Sequence, residues 1–567
     1  MRRVSMLTAA LAAAFFAEPA LATEYNLTIG ETKVNFTGDE RTAIAVNGEV
    51  PAPLLRFQEG EEAVIHVTNT LDVPTSVHWH GLLLPGEMDG VPGFNGFPGI
   101  APGETFTYRF TVRQSGTYWY HAHSEYQEQE GLYGAMILDP KAGDPAAYDR
   151  EHVIFLSDWT DEKGAEVHAN LKSMPDYYNY AQRTVFDFFD HVQEEGFGAA
   201  LQDRLDWGEM RMMPTDIADV SGYTFLMNGK TDEERWTGTF KPGERVRLRL
   251  INGSAMSYFD FRIPSMKLGV VQADGQNIHP VMVDELRIAT AETYDIIITP
   301  EDDTPLQIIA EAMDRTGFAL GELTADGKPA RLPRPAQRER ALLTMADMGV
   351  RHEMQGGHQG HGASAPAPHD GHADHGAHKN HAMPEKHEGH GNHGAMPAPE
   401  KESFNHRLSP PVGAPEGARV LSYADLKALE HNDDLRAPQR EIEVRLGGNM
   451  ERYLWTINGK KFEDAKPIEL HYGERVKLTF INESMMNHPM HLHGLFVELE
   501  NGQPREMQPR KHIVNVGPGR RYSVEITADE PGEWAFHCHL SYHMATGMFR
   551  KVIVEGGPTV AKLENGN

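Results

Sequence analysis

The sequence is short of cysteine, of basic charge and of long apolar runs. One cysteine, Cys538, occurs in 567 residues, so an intrachain disulfide is excluded. Beyond the N-terminal segment no stretch has the roughly 18 or more apolar residues of a membrane span, and none is expected. Basic residues number 53 against 82 acidic ones, a formal net charge of −29. That balance argues against nucleic acid or anionic membranes as partners. It suits a cationic substrate, or simply an acidic surface that keeps an exported protein soluble.

Length alone suggests three or four domains, and an internal repeat sets the number at three. EGEEAVIHVTN (59–69), PGERVRLRLIN (242–252) and YGERVKLTFIN (472–482) each run from a Gly-Glu turn through period-two alternation to an asparagine. Each follows an Asn-Gly turn, at Asn47–Gly48, Asn228–Gly229 and Asn458–Gly459. This is the pattern of half-buried strands in an antiparallel sandwich. A second echo joins GTYWYH at Gly116 to GEWAFH at Gly532.

The expected chain is all-β, with three tandem β-sandwich domains over 23–150, 151–345 and 405–567. A secretory signal at 1–22 is read from Arg2–Arg3, the apolar run from Met6 to Phe16 and the small-residue site Ala20–Leu21–Ala22. The export route, Sec or twin-arginine, stays open. In the middle domain, an insertion at about 170–214 carries the apolar spacing of short helices at Phe186, Phe189, Val192, Leu201 and Leu205. The tract 346–404 is rich in His, Gly and Pro and holds eleven of the 30 histidines. It cannot bury a core and is expected to be a disordered linker.

Chemistry is concentrated in four motifs of the outer repeats. They are HWH (His78, His80), HAH (His121, His123), HPMHLH (His488, His491, His493) and HCHLSYHMATGM (His537, Cys538, His539, His543, Met548). Residues i and i+2 of a strand share a face while i+1 points away. Each HxH pair can therefore grip one metal cluster, and the Cys538 sulfur faces the opposite side from His537 and His539. A thiolate, two imidazoles and a weak axial thioether form the ligand set of a blue-copper electron-transfer centre. One strand would then couple a one-electron acceptor to a multinuclear centre, as suits collecting electrons singly and delivering four to dioxygen. Zinc would use four ligands per site and leave the His543 and Met548 spacing unexplained.

These motifs resemble the copper-binding signatures of the multicopper oxidases. MDGVPG at Met88, QEQEGLYGAM at Gln127, LSDWTDE at Leu156, PTDIADVSGYTFLMNG at Pro214 and INGSAMSYFDFRIP at Ile251 are similar to the periplasmic copper resistance protein A family. The resemblance implies cupredoxin-like domains and four coppers per chain. A type 1 copper would take His488, Cys538, His543 and, axially, Met548. A type 2 copper would take His78 and His491. The two type 3 coppers would take His80, His121 and His539, and His123, His493 and His537. The cluster would sit between domains one and three, with domain two as a spacer without a copper centre. The implied activity is periplasmic one-electron oxidation of a donor coupled to four-electron reduction of O2 to water, contributing to copper resistance.

Asp89, nine residues past His80, resembles the carboxylate that relays protons in related oxidases; in its Gly-flanked loop it equally fits a turn cap. Some relatives carry a second carboxylate after the type 1 histidine, where this chain has Met544. Glu128 and Glu130 are candidate substitutes. Cu(I) is the favoured donor, because thioethers suit it and Met485, Met486 and Met544 lie beside the type 1 motifs. Met210, Met212 and Met213 form another group in the insertion. A phenolic reductant, as in a laccase-like oxidase, is the alternative. A third reading is a copper-sequestering protein that holds extra copper on the His-rich linker.

Overall fold

The computed structural model describes residues 22–210, 213–344 and 413–557. The expected signal, apart from Ala22, and the tract 346–404 lie outside the described residues.

The alternating segments are strands, and they pair as six sheets, two to each of three sandwiches. In the first sandwich the sheet of Ala22–Val34 and Glu62–Asn69 lies against that of His78–His80, Gly116–His121 and Tyr133–Asp139. The second and third sandwiches each set a six-stranded sheet against a five-stranded one. The sheets are mixed, not purely antiparallel as expected: each contains one parallel pair. Alternation along a strand reports which face is buried, whereas strand direction depends on where a long connection returns.

The repeat has a structural counterpart in all three domains. Strands Glu62–Asn69, Val246–Asn252 and Arg475–Asn482 each lie parallel to the first strand of their own sandwich. Their terminal asparagines are fully buried and do the same work. The side-chain amide of Asn69 donates to the carbonyls of Val73 and Ile100, that of Asn252 to Ser257 and Ile288, and that of Asn482 to Met486 and Val516. Each side-chain oxygen accepts from the backbone N–H two residues on, at Leu71, Ser254 and Ser484, which is an Asx turn. At the preceding hairpins Asn47, Asn228 and Asn458 adopt φ of 54°, 51° and 50°. Their side chains accept from Thr28, Phe155 and Arg445 N–H and so tie each hairpin to its neighbouring strand.

Three helices interrupt the middle sandwich: α1 (Gly164–Ser173), α2 (Val185–Glu195) and α3 (Phe197–Met210). They begin ahead of the expected 170. α1 buries Val167 and Leu171. A Thr184–Asp187 capping box starts α2, which buries no residue. The apolar spacing that predicted α2 marks an open face, with Phe186 81% and Phe189 57% exposed. Periodicity reveals a helical stripe but not what covers it. No helix among the described residues is long and apolar enough to cross a membrane.

The sandwiches are pinned to one another by direct hydrogen bonds. Asn95 of the first pairs through its amide with the backbone of Glu533 in the third, at 2.7 Å in both directions. Thr293 of the second donates to Thr117 O of the first, and Ser541 N of the third donates to Ala255 O of the second.

Candidate metal centres

Strand alternation separates the motif residues into two populations. Trp79 is fully buried in the core of the first sandwich, edge-on to Tyr108 with ring centroids 5.0 Å apart, while His78 and His80 leave the other face. Ala122 enters the same core between His121 and His123. In the third sandwich Leu492 and Cys538 point into the core, between their flanking histidines. Register aligns the outward residues: His78 lies opposite His121, and His491 opposite His537. The histidine-bearing faces of the first and third sandwiches therefore meet, stacking His78 on His493 and His80 on His491 with 3.9 Å between ring centroids.

The meeting creates groups whose ligand atoms all lie within 4.8 Å of one another: His80, His121 and His539; His123, His493 and His537; and His78, His491 and His493. Most of these rings are held by Nδ1. His78 donates to Asp89 O (2.8 Å), His121 lies 2.8 Å from Glu128 Oε2, His491 donates to His512 O (2.8 Å), and His537 donates to Cys538 O (2.9 Å). The Nε2 atoms of His78, His121 and His491, and both ring nitrogens of His80 and His539, are buried without a hydrogen-bond partner among the described residues. Burial, aided by neighbouring imidazoles, holds His80, His121, His123, His491, His493 and His539 well below the usual histidine range. Neutral rings with tethered Nδ1 and free Nε2 are prepared metal ligands. Leaving that many buried nitrogens unsatisfied would cost about 1–3 kcal/mol each, a cost that bound metal removes.

On the inward side, Cys538 Sγ lies 3.6 Å from Nδ1 of both His488 and His543, whose Nδ1 atoms are 3.1 Å apart. Met548 is fully buried, and its carbonyl accepts the Cys538 N–H at 3.1 Å. The outer nitrogens are also fixed. His488 Nε2 sits 2.7 Å from Ser484 Oγ, and His543 Nε2 sits 2.7 Å from Asp219 Oδ2, which accepts Tyr453 OH at 2.6 Å. Trp455 covers both rings, with centroids 4.1 Å from His543 and 5.1 Å from His488. Burial pushes the Cys538 thiol well above its usual range, so a thiolate here needs a bound cation to stabilise it.

The sequence profile of the multicopper oxidases matches residues 28–143, 150–308 and 436–558. Over 553 residues the chain is 49% identical to a copper resistance protein A homolog of Pseudomonas syringae pv. tomato, covering 94% of this chain and 92% of that one. The chain belongs to the multicopper oxidases. It is also 48% identical over 565 residues to copper resistance protein A of Escherichia coli, covering 94% and 93% of the two chains. The crystal structure of Fet3p, a multicopper oxidase that functions in iron import, shares its fold at TM-score 0.65 and 20% identity, over 94% of this chain and 91% of that one.

Carboxylates approach the histidine cluster of this multicopper oxidase from two sides. Asp89 is buried, with Oδ2 2.9 Å from His493 Nδ1 and Oδ1 3.3 Å from His78 Nδ1. Glu128, besides touching His121, has Oε1 4.0 Å from His539 Nδ1. Burial, with Asp158 adding to it, pushes Glu128 well above the usual carboxylate range. Glu130 faces away: it pairs with Lys163 Nζ at 3.0 Å and accepts the Gly164 N–H at the start of α1.

The methionines divide in the same way. Met486 is buried core, Met485 packs against that core, and Met544 packs beside Val91, Phe94 and Phe549. Met213 is half-buried, Met210 ends α3, and Met212 lies outside the described residues.

Two residues that the motifs did not signal belong to the oxidase's centres. Asp219 comes from the middle sandwich, which is therefore more than the expected spacer: it completes the surroundings of His543. His512 lies beside the cluster, its ring centroid 4.8 Å from that of His80. PTDIADVSGYTF and RKHIVNV contain these residues, but a lone Asp or His has no ligand spacing to mark it.

Proposed function

We propose that this oxidase is exported to the periplasm and oxidises Cu(I) to Cu(II) with dioxygen, contributing to copper resistance. The balance is 4 Cu⁺ + O2 + 4 H⁺ giving 4 Cu²⁺ + 2 H2O. In this reading His488, Cys538, His543 and axial Met548 hold a type 1 copper, and His78 and His491 a type 2 copper. His80, His121 and His539 hold one type 3 copper, and His123, His493 and His537 the other. Bound, the four ions supply one-electron transfer at the sulfur site and four-electron oxygen reduction at the cluster.

The observation that carries the substrate reading is the buried carboxylate on His543. His543 is fully buried and Asp219 only 3% exposed, so the carboxylate acts on the imidazole away from bulk water. A carboxylate there favours a cationic donor and stabilises the oxidised, more positive state of the site. Three residues earlier, Asp216 lines a cavity of about 380 Å³ between the second and third sandwiches, together with Met313, Met485, Asn487 and Asn515. The thioethers of Met313 and Met485 in this cavity suit Cu(I).

Chain residues then serve both halves of the reaction. Cys538 is covalently adjacent to His537 and His539, giving the electron a short route from the inward to the outward face. Asp89 and Glu128 stand against cluster imidazoles, where each can deliver a proton. The names of the copper resistance relatives and the basic-apolar N-terminus support the resistance role and export. Steady-state oxygen uptake with Cu(I) and with a dimethoxyphenol, each with and without added copper, tests the reading. Turnover of Cu(I), with phenol oxidation slow unless copper is added, is expected. Fast phenol turnover indifferent to added copper, with no uptake on Cu(I), would overturn it.

A further inference from the structure

Eight of the ten motif histidines line the cluster, yet a ninth imidazole, His512, stands among them. His512 is 2% exposed, and neither of its ring nitrogens has a hydrogen-bond partner among the described residues. The nearest carboxylate, Asp274, has Oδ2 3.9 Å from His512 Nδ1, beyond hydrogen-bonding reach, and that oxygen is already engaged by Lys511 Nζ at 3.0 Å. An imidazole buried with both nitrogens idle is costly. Its ligand atom lies within 4.8 Å of those of His80 and His491, two residues of the cluster.

The surroundings hold the ring there. The backbone N–H groups of His512 and Ile513 donate to Asp274 Oδ2 at 3.3 and 3.1 Å, and the His512 carbonyl accepts from His491 Nδ1 at 2.8 Å. Residue 512 thus orients His491 through its backbone while presenting its own ring to the same space. Room for that ring depends on Gly81, next to His80. A Cβ on Gly81 would lie 2.4 Å from His512 Cδ2 and 2.7 Å from Nε2, and Gly81 adopts φ +80°. A side chain at 81 would evict the imidazole.

We propose that His512 is a copper ligand, giving the copper on His491 at the type 2 position a third protein imidazole. Three nitrogen donors suit Cu(II) better than two and would make this copper harder to remove. The inference rests on the ligand assignment proposed above but not on the identity of the reductant.

Nitrogen hyperfine coupling in pulsed electron paramagnetic resonance of the type 2 signal, on the full copper-loaded chain, tests it. In the wild type three coordinated histidine nitrogens are expected, and two would overturn the proposal without any variant. Absence of any type 2 signal would instead sink the underlying ligand assignment along with it. In His512→Ala and His512→Gln the blue type 1 band should persist, because Cys538 lies inside the third sandwich. The type 2 signal should lose one nitrogen, and copper should leave to a chelator more than ~100-fold faster, exceeding what loss of an outer-shell partner produces. Added imidazole should restore the third nitrogen in His512→Ala. An unchanged nitrogen count and unchanged copper retention in the variants would refute ligation.

Discussion

Asp219 Oδ2 lies 2.7 Å from His543 Nε2, a carboxylate of the second sandwich on an imidazole of the third. Replacing it by a neutral amide removes a charge-assisted hydrogen bond worth about 1.5–3 kcal/mol. That energy favours the oxidised centre, so Asp219→Asn should raise the type 1 midpoint potential, on the order of 60–130 mV for one electron. Spectroelectrochemical titration of the blue band measures it; an unchanged or lowered potential would count against the role given to this carboxylate.

Cys538 is the only thiol in the chain, and its sulfur lies against two imidazoles on the inward face. Cys538→Ser should abolish the blue band and the oxidase activity while copper still binds the outward histidines. The same variant separates turnover from storage. If cells carrying Cys538→Ser resisted copper as well as the wild type, sequestration would explain resistance better than oxidation.

The two buried carboxylates at the cluster should be kinetically distinct from the third, outlying one. Asp89→Asn and Glu128→Gln should each lower kcat by roughly 100-fold and enlarge the solvent deuterium isotope effect. Glu130→Gln, which only loosens the start of α1, should leave both unchanged. Equal losses in all three variants would show that the effect is structural.

Asp216 supplies a stability prediction. Burial, reinforced by Asp219 and Asp176, pushes its carboxyl up to about 8, against about 3.9 in an unfolded chain. Between those values the folded protein keeps the proton and the unfolded chain releases it. Asp216 therefore costs no stability at about pH 4, and an increasing amount as pH rises to 8, at up to about 1.4 kcal/mol per unit. Asp216→Asn should match the wild type near pH 4 and exceed it increasingly toward pH 8. Thermal unfolding of the copper-free protein over that range decides; parallel curves for the two proteins would refute the shift.

The motif histidines were legible because ligand chemistry and strand alternation act over two or three residues. HWH and HCH carry both the donor type and the side to which it points, and the structure groups them as that spacing requires. The repeat was legible for a similar reason, since Asn69, Asn252 and Asn482 perform one local task in three places. Asp219, His512 and the contacts of Glu128 were not, because each depends on a partner hundreds of residues away or on a loop whose return path the sequence does not encode locally. Parallel strand pairing escaped for the same cause. The open face of α2 shows the converse: a correct local period with no local information about its neighbour.

Because the cluster histidines divide between residues 78–123 and 488–543, a metal bound there would act as a suture between two distant stretches of the polypeptide. A chain released early, or clipped before its last sandwich, lacks half the donors as well as its sulfur. Neither half of the cluster could therefore be completed on an unfinished molecule.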